Sequence, residues 1–189
     1  MAIARGFAVF AGLMMTAVAI QPARAAQHIY SFDSVTPITQ KMTENGLTFI
    51  VEKSVMTTRV KRLLETLDVG AADLRPAPES VLGAGGLNAL IGRDAPERTL
   101  YAITDKEDGV ALGHALCRGS THVWLAFGRV KAGQDLRVHA LGDDPLTGKA
   151  RLCVTLDYAF HGEWTLPQSD LPQPDRTDRF NTAPENRRY

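Results

Sequence analysis

Hydrophobic and polar residues alternate with a period of two along most of the second half of the chain, a pattern typical of β-strands with one buried face. Two earlier strand patterns, at 29–35 and 46–52, flank an Asn45-Gly46 turn signal and predict an N-terminal hairpin. We therefore expect an α+β chain that is mainly β, with an antiparallel meander of about five C-terminal strands forming a sandwich or an open barrel. These strands are predicted at 99–104, 110–117, 121–130, 135–141 and 151–160.

The period of the hydrophobic pattern changes between residues 56 and 67. Apolar side chains there recur at helical spacing, which predicts one amphipathic α-helix. After it, proline and glycine become frequent, so residues 68–98 are expected to form a loop with one short helix. The stripe that carries the helix prediction consists of Met56, Val60, Leu63, Leu64 and Leu67.

The turn at 131–134 sets the register of the two strands beside it, because it places Val130 opposite Asp135. Side chains on one face of these strands are then all apolar, which predicts that this face belongs to the core. The predicted cross-strand pairs on the core face are Leu125 with Ala140 and Phe127 with Val138.

The opposite face of the same two strands carries the candidate binding residues. Trp124 lies opposite Leu141 in this register, His139 lies opposite Ala126, and Arg137 is nearby. Two interpretations are open. The face is either an exposed aromatic–basic patch that binds a partner, since Trp and Arg are enriched at binding hot spots, or it is covered by the predicted helix or loop.

The first 25 residues have the three-part pattern of a secretory signal peptide. Arg5 is followed by an uncharged apolar run at 7–20 and by Ala23-Arg24-Ala25, a small-residue cleavage site. We expect residues 1–25 to be removed and the product to be periplasmic or secreted. Residues 26–167 are expected to form a single globular domain, and the proline-rich segment 168–189 a disordered tail.

The charge of the chain after cleavage is close to zero. Loss of Arg5 and Arg24 leaves 19 basic and 21 acidic side chains, a net charge of −2. Net charge therefore gives no reason to expect a nucleic-acid partner. The chain after residue 25 has no second long apolar run, so no integral membrane segment is expected after cleavage.

Cys117 and Cys153 are the two cysteines of the chain. An even number of cysteines in an exported protein predicts a disulfide bond between them. The alternative is a metal site formed by His114, Cys117 and Cys153, although the sequence lacks the paired C-x-x-C spacing of structural zinc sites. Neither a metal nor another cofactor is predicted.

Signatures of catalysis are missing from the sequence. It contains no G-x-S-x-G nucleophile elbow, no H-E-x-x-H motif and no C-x-x-C redox pair. We therefore favour a non-enzymatic binding or cell-envelope-maintenance protein, whose partner is an envelope protein, a secreted protein or a small ligand. The alternative enzyme would be a small hydrolase that uses His114 or His139 with Asp157. In the predicted strand 110–117, His114 points into an apolar face and is expected in the core.

Overall fold

The computed structural model describes residues 26–44, 46–53, 58–65, 70–106 and 108–166. The predicted signal peptide and the predicted disordered tail lie outside these described residues. The fold, the core and the candidate sites below therefore all belong to the predicted globular domain.

The chain folds into a closed barrel of eight antiparallel strands, in which each strand pairs with the next and the last pairs with the first. The mainly β class is confirmed. The expected open barrel or sandwich of about five C-terminal strands is wrong, because the barrel closes with eight strands and none of the described strands is left as an edge. The strands are β1 (Ala26–Ser34), β2 (Leu47–Lys53), β3 (Thr58–Glu65), β4 (Ala71–Pro76), β5 (Thr99–Ile103), β6 (Val123–Phe127), β7 (Leu136–Asp143) and β8 (Ala150–Leu166).

Three short α-helices lie in the connections between strands of the described chain. They are α1 (Pro37–Thr43), α2 (Gly86–Ile91) and α3 (Gly109–Leu116), and a 3₁₀ turn spans Glu79–Leu82. Thr36 caps the first helix, because its hydroxyl accepts a hydrogen bond from the Thr39 N–H at 3.2 Å, and Pro37 follows at the first helical position. The predicted N-terminal hairpin is therefore present as the β1–β2 pair, joined by a helix.

The inside of the barrel is filled by the side chains that alternate inward along every strand. Aromatic rings form its centre, where Phe127 stacks on Tyr101 with ring centroids 4.8 Å apart and contacts Phe49 at 5.1 Å. An eight-stranded barrel is just wide enough for such side chains or for one small ligand. Here the side chains take most of the space, and an internal void among Leu125, Leu156 and their neighbours measures only about 10 Å³.

Two helices close one end of the barrel. Helix α3 inserts Leu112 and Leu116, which are almost fully buried, into the apolar core. Helix α1 packs against β1 and β8 at the same end, and its Thr43 hydroxyl lies 3.3 Å from the Tyr158 hydroxyl. We call this the closed end. The opposite end, which we call the mouth, is where β2 and β6 finish and β3 and β7 begin.

The amphipathic helix predicted for 56–67 is wrong, because the described part of this segment is strand β3. The cause is a β-bulge. Arg62 pairs with Ile50 and Val60 pairs with Val51, so Lys61 is an extra residue in the ladder. The bulge brings Val60 and Leu63, three residues apart, to the same inward face, and this spacing imitates a helical stripe.

The strand predicted for 110–117 is also wrong, because the segment forms α3. Its buried residues are Gly109, Leu112, Gly113 and Leu116, at the helical spacing of three and four. The glycines permit close packing, and a Cβ atom on Gly113 would lie 3.2 Å from the Val123 side chain. His114 is exposed on the outer side of this helix, so its expected place in the core is wrong as well.

The predicted loop at 68–98 contains strand β4, and apolar residues between 77 and 91 pack on the outside of the barrel. Leu87 of helix α2 is fully buried in a second apolar cluster, outside the barrel wall. Leu100, Ala126 and Leu141 are the wall residues that it covers. Part of the outer face of β6 and β7 is therefore covered by this segment, which agrees with the second of the two interpretations of that face.

The register predicted for β6 and β7 is confirmed. Leu125 pairs with Ala140 and Phe127 with Val138 inside the barrel. On the outside, Trp124 pairs with Leu141 and Ala126 with His139.

The predicted disulfide bond between Cys117 and Cys153 is confirmed, with Cα atoms 5.3 Å apart. Cys117 ends helix α3, and Cys153 is an extra residue in β8, because Val154 pairs with Ala140 and Leu152 with Leu141. A bulge of this kind redirects a side chain. Gly142 leaves room for the bond, since a Cβ atom there would lie 2.4 Å from the Cys117 sulfur. The bond ties the helix that closes the barrel to the barrel wall.

Candidate functional site

The mouth of the barrel contains an open cavity of about 580 Å³. The inward alternation of β1, β2, β3 and β5 supplies part of its lining, and the β6–β7 connection supplies the rest. The lining residues are Tyr30, Lys53, Thr58, Val60, Thr99, Tyr101, Gly128, Arg129, Val130, Lys131 and Ala132.

The floor of the cavity is a hydrogen-bonded cluster of ionisable side chains. Tyr30 donates a hydrogen bond of 2.5 Å to Glu163 Oε1, and Lys53 Nζ donates to the Tyr30 hydroxyl. Lys53 Nζ is also 3.0 Å from Glu163 Oε1, and His28 Nδ1 is 2.8 Å from the same oxygen. Together these contacts hold Lys53 in one place in the lining of the cavity.

The same contacts determine the charge of the cluster. Hydrogen bonds from Tyr30 and Lys53 hold the pKa of Glu163 below its ordinary value. Burial and the hydrogen bond to Glu163 raise the pKa of Tyr30. Burial acts to lower the pKa of Lys53, but its hydrogen bonds to Tyr30 and Glu163 outweigh burial and raise it. At neutral pH the cluster therefore holds an ammonium, a carboxylate and a neutral phenol.

Two further cations stand at the rim of the cavity. Arg129 and Lys131 lie in the β6–β7 connection, and both are exposed. No ion pair joins either of them to another residue of the described chain. Below them Tyr101 is buried, and burial raises its pKa, although the backbone of Val60 and the charge of Arg59 act in the opposite direction. The cavity thus has cationic groups at its rim and floor and an aromatic and aliphatic wall.

This arrangement is suited to binding an anion and poorly suited to proton transfer. A catalytic base or nucleophile needs a pKa near the working pH, whereas Lys53 and Tyr30 are both shifted away from neutrality. The lining contains two hydroxyl-bearing aromatic residues and three cations, and no carboxylate among the described residues. An anionic group can therefore approach Lys53, Arg129 and Lys131 without meeting a like charge in the lining.

The four candidate binding residues from the sequence lie together on the outer face of β6 and β7, but their surroundings differ. Leu141 is fully buried in the outer cluster, and Trp124 is partly buried at its border. His139 is 7 % exposed, and Thr155 Oγ1 lies 2.9 Å from its Nδ1 atom. Arg137 is exposed and donates a 2.6 Å hydrogen bond to Asp157. Trp124 and Arg137 are the two of the four that reach the surface.

The residues of the alternative hydrolase occupy separate environments. Asp157 accepts its hydrogen bond from Arg137, while His139 contacts Thr155 and lies 3.5 Å from the buried Glu97 carboxylate. His114 stands on helix α3 at another part of the surface. The described hydrogen bonds therefore do not join a histidine to Asp157 in the manner of a base and its orienting group.

Within the described residues, no three His, Cys, Asp or Glu side chains are grouped so that they could hold a metal ion. Both sulfur atoms of the alternative metal site are bonded to each other. None of the helices in the described ranges is long and apolar enough to cross a membrane. Comparison with protein-family models, with curated proteins and with solved structures finds no match to this chain.

The residues of the mouth were not singled out from the sequence, although a signal was available for one of them. Leu47, Phe49 and Val51 alternate inward along β2, and Lys53 is the next residue of that face. A lysine that continues an apolar face marks the point where a strand leaves the core. Arg129 and Lys131 gave no such signal, because they lie in a polar turn.

Proposed function

We propose that this protein is an exported, non-enzymatic binding protein whose mouth holds a small amphipathic anion. The observation that carries the proposal is the convergence of Lys53, Arg129 and Lys131 on a cavity of about 580 Å³ that no described carboxylate lines. Small-molecule sites are commonly found in the mouths of β-barrels, with a few placed polar groups and a largely apolar wall. The ligand class is a carboxylate, phosphate or sulfonate that bears an apolar group.

The size of the cavity supports one small ligand bound near the surface. Its volume lies within the range of about 300–1,000 Å³ that is common for small-molecule sites. Phe49, Phe127 and Tyr101 fill the barrel directly below, so a ligand would rest on these rings and would not enter the core. The apolar part of the ligand would contact Val60, Val130 and the Tyr101 ring.

The cluster on the floor supports binding by fixing a positive charge before the ligand arrives. Lys53 is held by Tyr30 and Glu163, so little side-chain freedom is lost when an anion binds. Glu163 lies behind Lys53 and reduces the net charge at the floor. Arg129 and Lys131 would therefore supply most of the attraction, and we expect them to govern affinity.

Export of the protein belongs to the same proposal. A disulfide that links a helix to the barrel wall is suited to an oxidising compartment such as the periplasm or the extracellular medium. The signal-peptide pattern of residues 1–25 points to the same location. A binding protein for small amphipathic anions would act there as a carrier or as a component of envelope maintenance.

Calorimetric titration with octanoate and octanol tests the proposal, because the two probes share an apolar chain and differ in charge. We expect octanoate to bind at least tenfold more tightly than octanol, a difference of about 1.4 kcal/mol, and its affinity to fall with added salt. The double variant Arg129→Gln, Lys131→Gln should remove most of this difference while octanol affinity changes little.

Lys149→Gln is the matched control, because it removes one cation from the exposed β7–β8 connection, away from the lining of the mouth. It should leave octanoate affinity within a factor of two of the wild type, or about 0.4 kcal/mol. Equal affinity for the two probes, or equal losses in the mouth variant and in the control, would show that the mouth is not an anion site.

A further inference from the structure

A second concave site lies outside the barrel and shares no lining residue with the mouth. It is a groove of about 660 Å³ between helix α3, the outer faces of β5 and β6, and the loop at 119–122. We call it the outer groove. The side chains that the argument uses are Arg75, Thr104, His114, His122 and Trp124, together with Ala102.

Strand pairing builds a slot into this groove. Arg75 pairs with Ala102, and Ala102 pairs with Trp124, so these three residues project from the same outer face. Neighbouring strands lie about 4.8 Å apart, which places the Arg75 and Trp124 backbones roughly 10 Å from each other. The small Ala102 side chain forms the floor between two large planar groups. A flat ring in van der Waals contact with both sides, at about 3.5–4 Å each, would fill such a gap.

The aromatic wall of the slot is held in place. The rings of Trp124 and His122 are nearly parallel, with centroids 6.0 Å apart and planes inclined by 20°. Asp143 fixes His122 through two contacts, accepting from its backbone N–H at 2.7 Å and lying 3.2 Å from its Nδ1 atom. Burial acts to raise the pKa of Asp143, but these hydrogen bonds hold it below its ordinary value. Asp143 therefore stays ionised and keeps the wall in position.

Thr104 lines the groove, and its hydroxyl is buried without a hydrogen-bond partner among the described residues. Thr104 is 8 % exposed, and its Oγ1 atom makes no hydrogen bond within the described structure. Buried polar atoms are nearly always paired, since each unpaired one costs about 1–3 kcal/mol. The Thr104 backbone is fixed by a 3.0 Å hydrogen bond from its N–H to the Asp73 carbonyl, so rotation about the Cα–Cβ bond is the movement that turns its hydroxyl toward a ligand in the groove.

We propose that the outer groove binds a planar heteroaromatic ring, stacked between Arg75 and Trp124 with its polar edge hydrogen-bonded to Thr104. A hydroxyl can donate to a ring nitrogen and accept from a ring N–H, so a heteroaromatic edge satisfies it, whereas an aliphatic group does not. Aromatic and guanidinium planes are the usual stacking partners of such rings. Val110 and Ile103 give the groove an apolar part of its lining, which suits a ring with little net charge.

Adenine is a suitable probe, and ribose serves as the non-planar control. The titration follows tryptophan fluorescence in the Trp164→Phe variant, because Trp164 is 49 % exposed on β8 and would otherwise add a signal unrelated to the groove. We expect adenine to quench the remaining Trp124 emission in a saturable manner and ribose to leave it unchanged. No saturable quenching by adenine, or equal effects of adenine and ribose, would overturn the proposal.

Thr104→Val separates a binding role of the hydroxyl from a structural one, because it keeps the shape of the side chain and removes the unpaired oxygen. We expect the melting temperature to stay the same or rise, while adenine affinity falls about fivefold. Arg75→Gln should weaken adenine binding by a similar factor. Unchanged adenine affinity in both variants would contradict the proposed site.

The two sites can also be told apart. Octanoate at a concentration that saturates the mouth should leave the adenine titration unchanged, because the barrel wall separates the two cavities. Competition between octanoate and adenine would mean that both enter one cavity, and would overturn the assignment of adenine to the outer groove.

Discussion

At the scale of single residues, the Tyr30 hydroxyl connects the core of the barrel to its mouth. The ring is fully buried among the inward side chains, while the hydroxyl joins Lys53 to Glu163 at the surface of the cavity. A buried tyrosine usually places its hydroxyl against a polar partner, and here the partners are the two charges of an ion pair. The core thereby fixes the position of a charge that the proposed ligand would meet.

The depressed pKa of Glu163 makes one contribution to stability depend on pH. A carboxyl whose pKa is lower in the folded state than in the unfolded state stabilises the fold above its unfolded pKa, near 4.3, and loses this effect as pH falls through the folded pKa. Wild type should therefore exceed Glu163→Gln in unfolding free energy at pH 7, and the difference should shrink below about pH 4.3. Urea denaturation at a series of pH values measures it.

Tyr30→Phe is the companion variant, because it removes the strongest hydrogen bond to Glu163 and leaves the ring in the core. Its stability should depend less steeply on pH in the acid range than that of the wild type. A difference between wild type and Glu163→Gln that stays constant from neutral to acid pH would contradict this account.

At the scale of secondary-structure elements, local irregularities decided where the sequence could be interpreted correctly. Strands with unbroken alternation, such as β2 and β6, were predicted with the right faces. The bulge at Lys61 shifted the pattern of β3 and gave it helical spacing. Helix α3 was missed because Gly109 and Gly113 belong to its buried face, and glycine carries no hydrophobic signal. The outer face of β6 was placed correctly, but its cover by α2 depends on contacts distant in sequence.

The element most dependent on the disulfide is helix α3. It has only eight residues, too few to be stable alone, and the bond at its C-terminal end closes a loop with a sequence separation of 36 residues. Loop closure of this size is worth about 3.5–4 kcal/mol in the chain-entropy model. The Cys117→Ser, Cys153→Ser double variant should lose about that much unfolding free energy in urea. Hydrogen exchange should accelerate first in α3.

A reductant provides the control for this variant, since it should destabilise the wild type and leave the double variant unchanged. Equal protection of the α3 amides in the two proteins would show that apolar packing alone holds the helix in the barrel.

At the scale of the whole molecule, the two ends of the barrel differ in physical character. At the closed end, helix α3 inserts Leu112 and Leu116 into the core, and the disulfide ties this helix to the barrel wall. The mouth exposes Arg129 and Lys131, which make no ion pair within the described chain. Stability should therefore come mainly from one end and binding from the other, as expected when a rigid scaffold carries its site on connecting segments.

The unfolding free energies of one variant at each end compare how much the two ends contribute to stability. Leu112→Ala removes a fully buried side chain at the closed end and should cost about 2–5 kcal/mol. The Arg129→Gln, Lys131→Gln variant alters exposed residues and should change stability by no more than about 0.5 kcal/mol per site. A stability loss in the mouth variant comparable to that of Leu112→Ala would mean that these two cations support the fold. Their effect on octanoate binding would then have to be attributed to unfolding, because a destabilised barrel could not present the cavity at all.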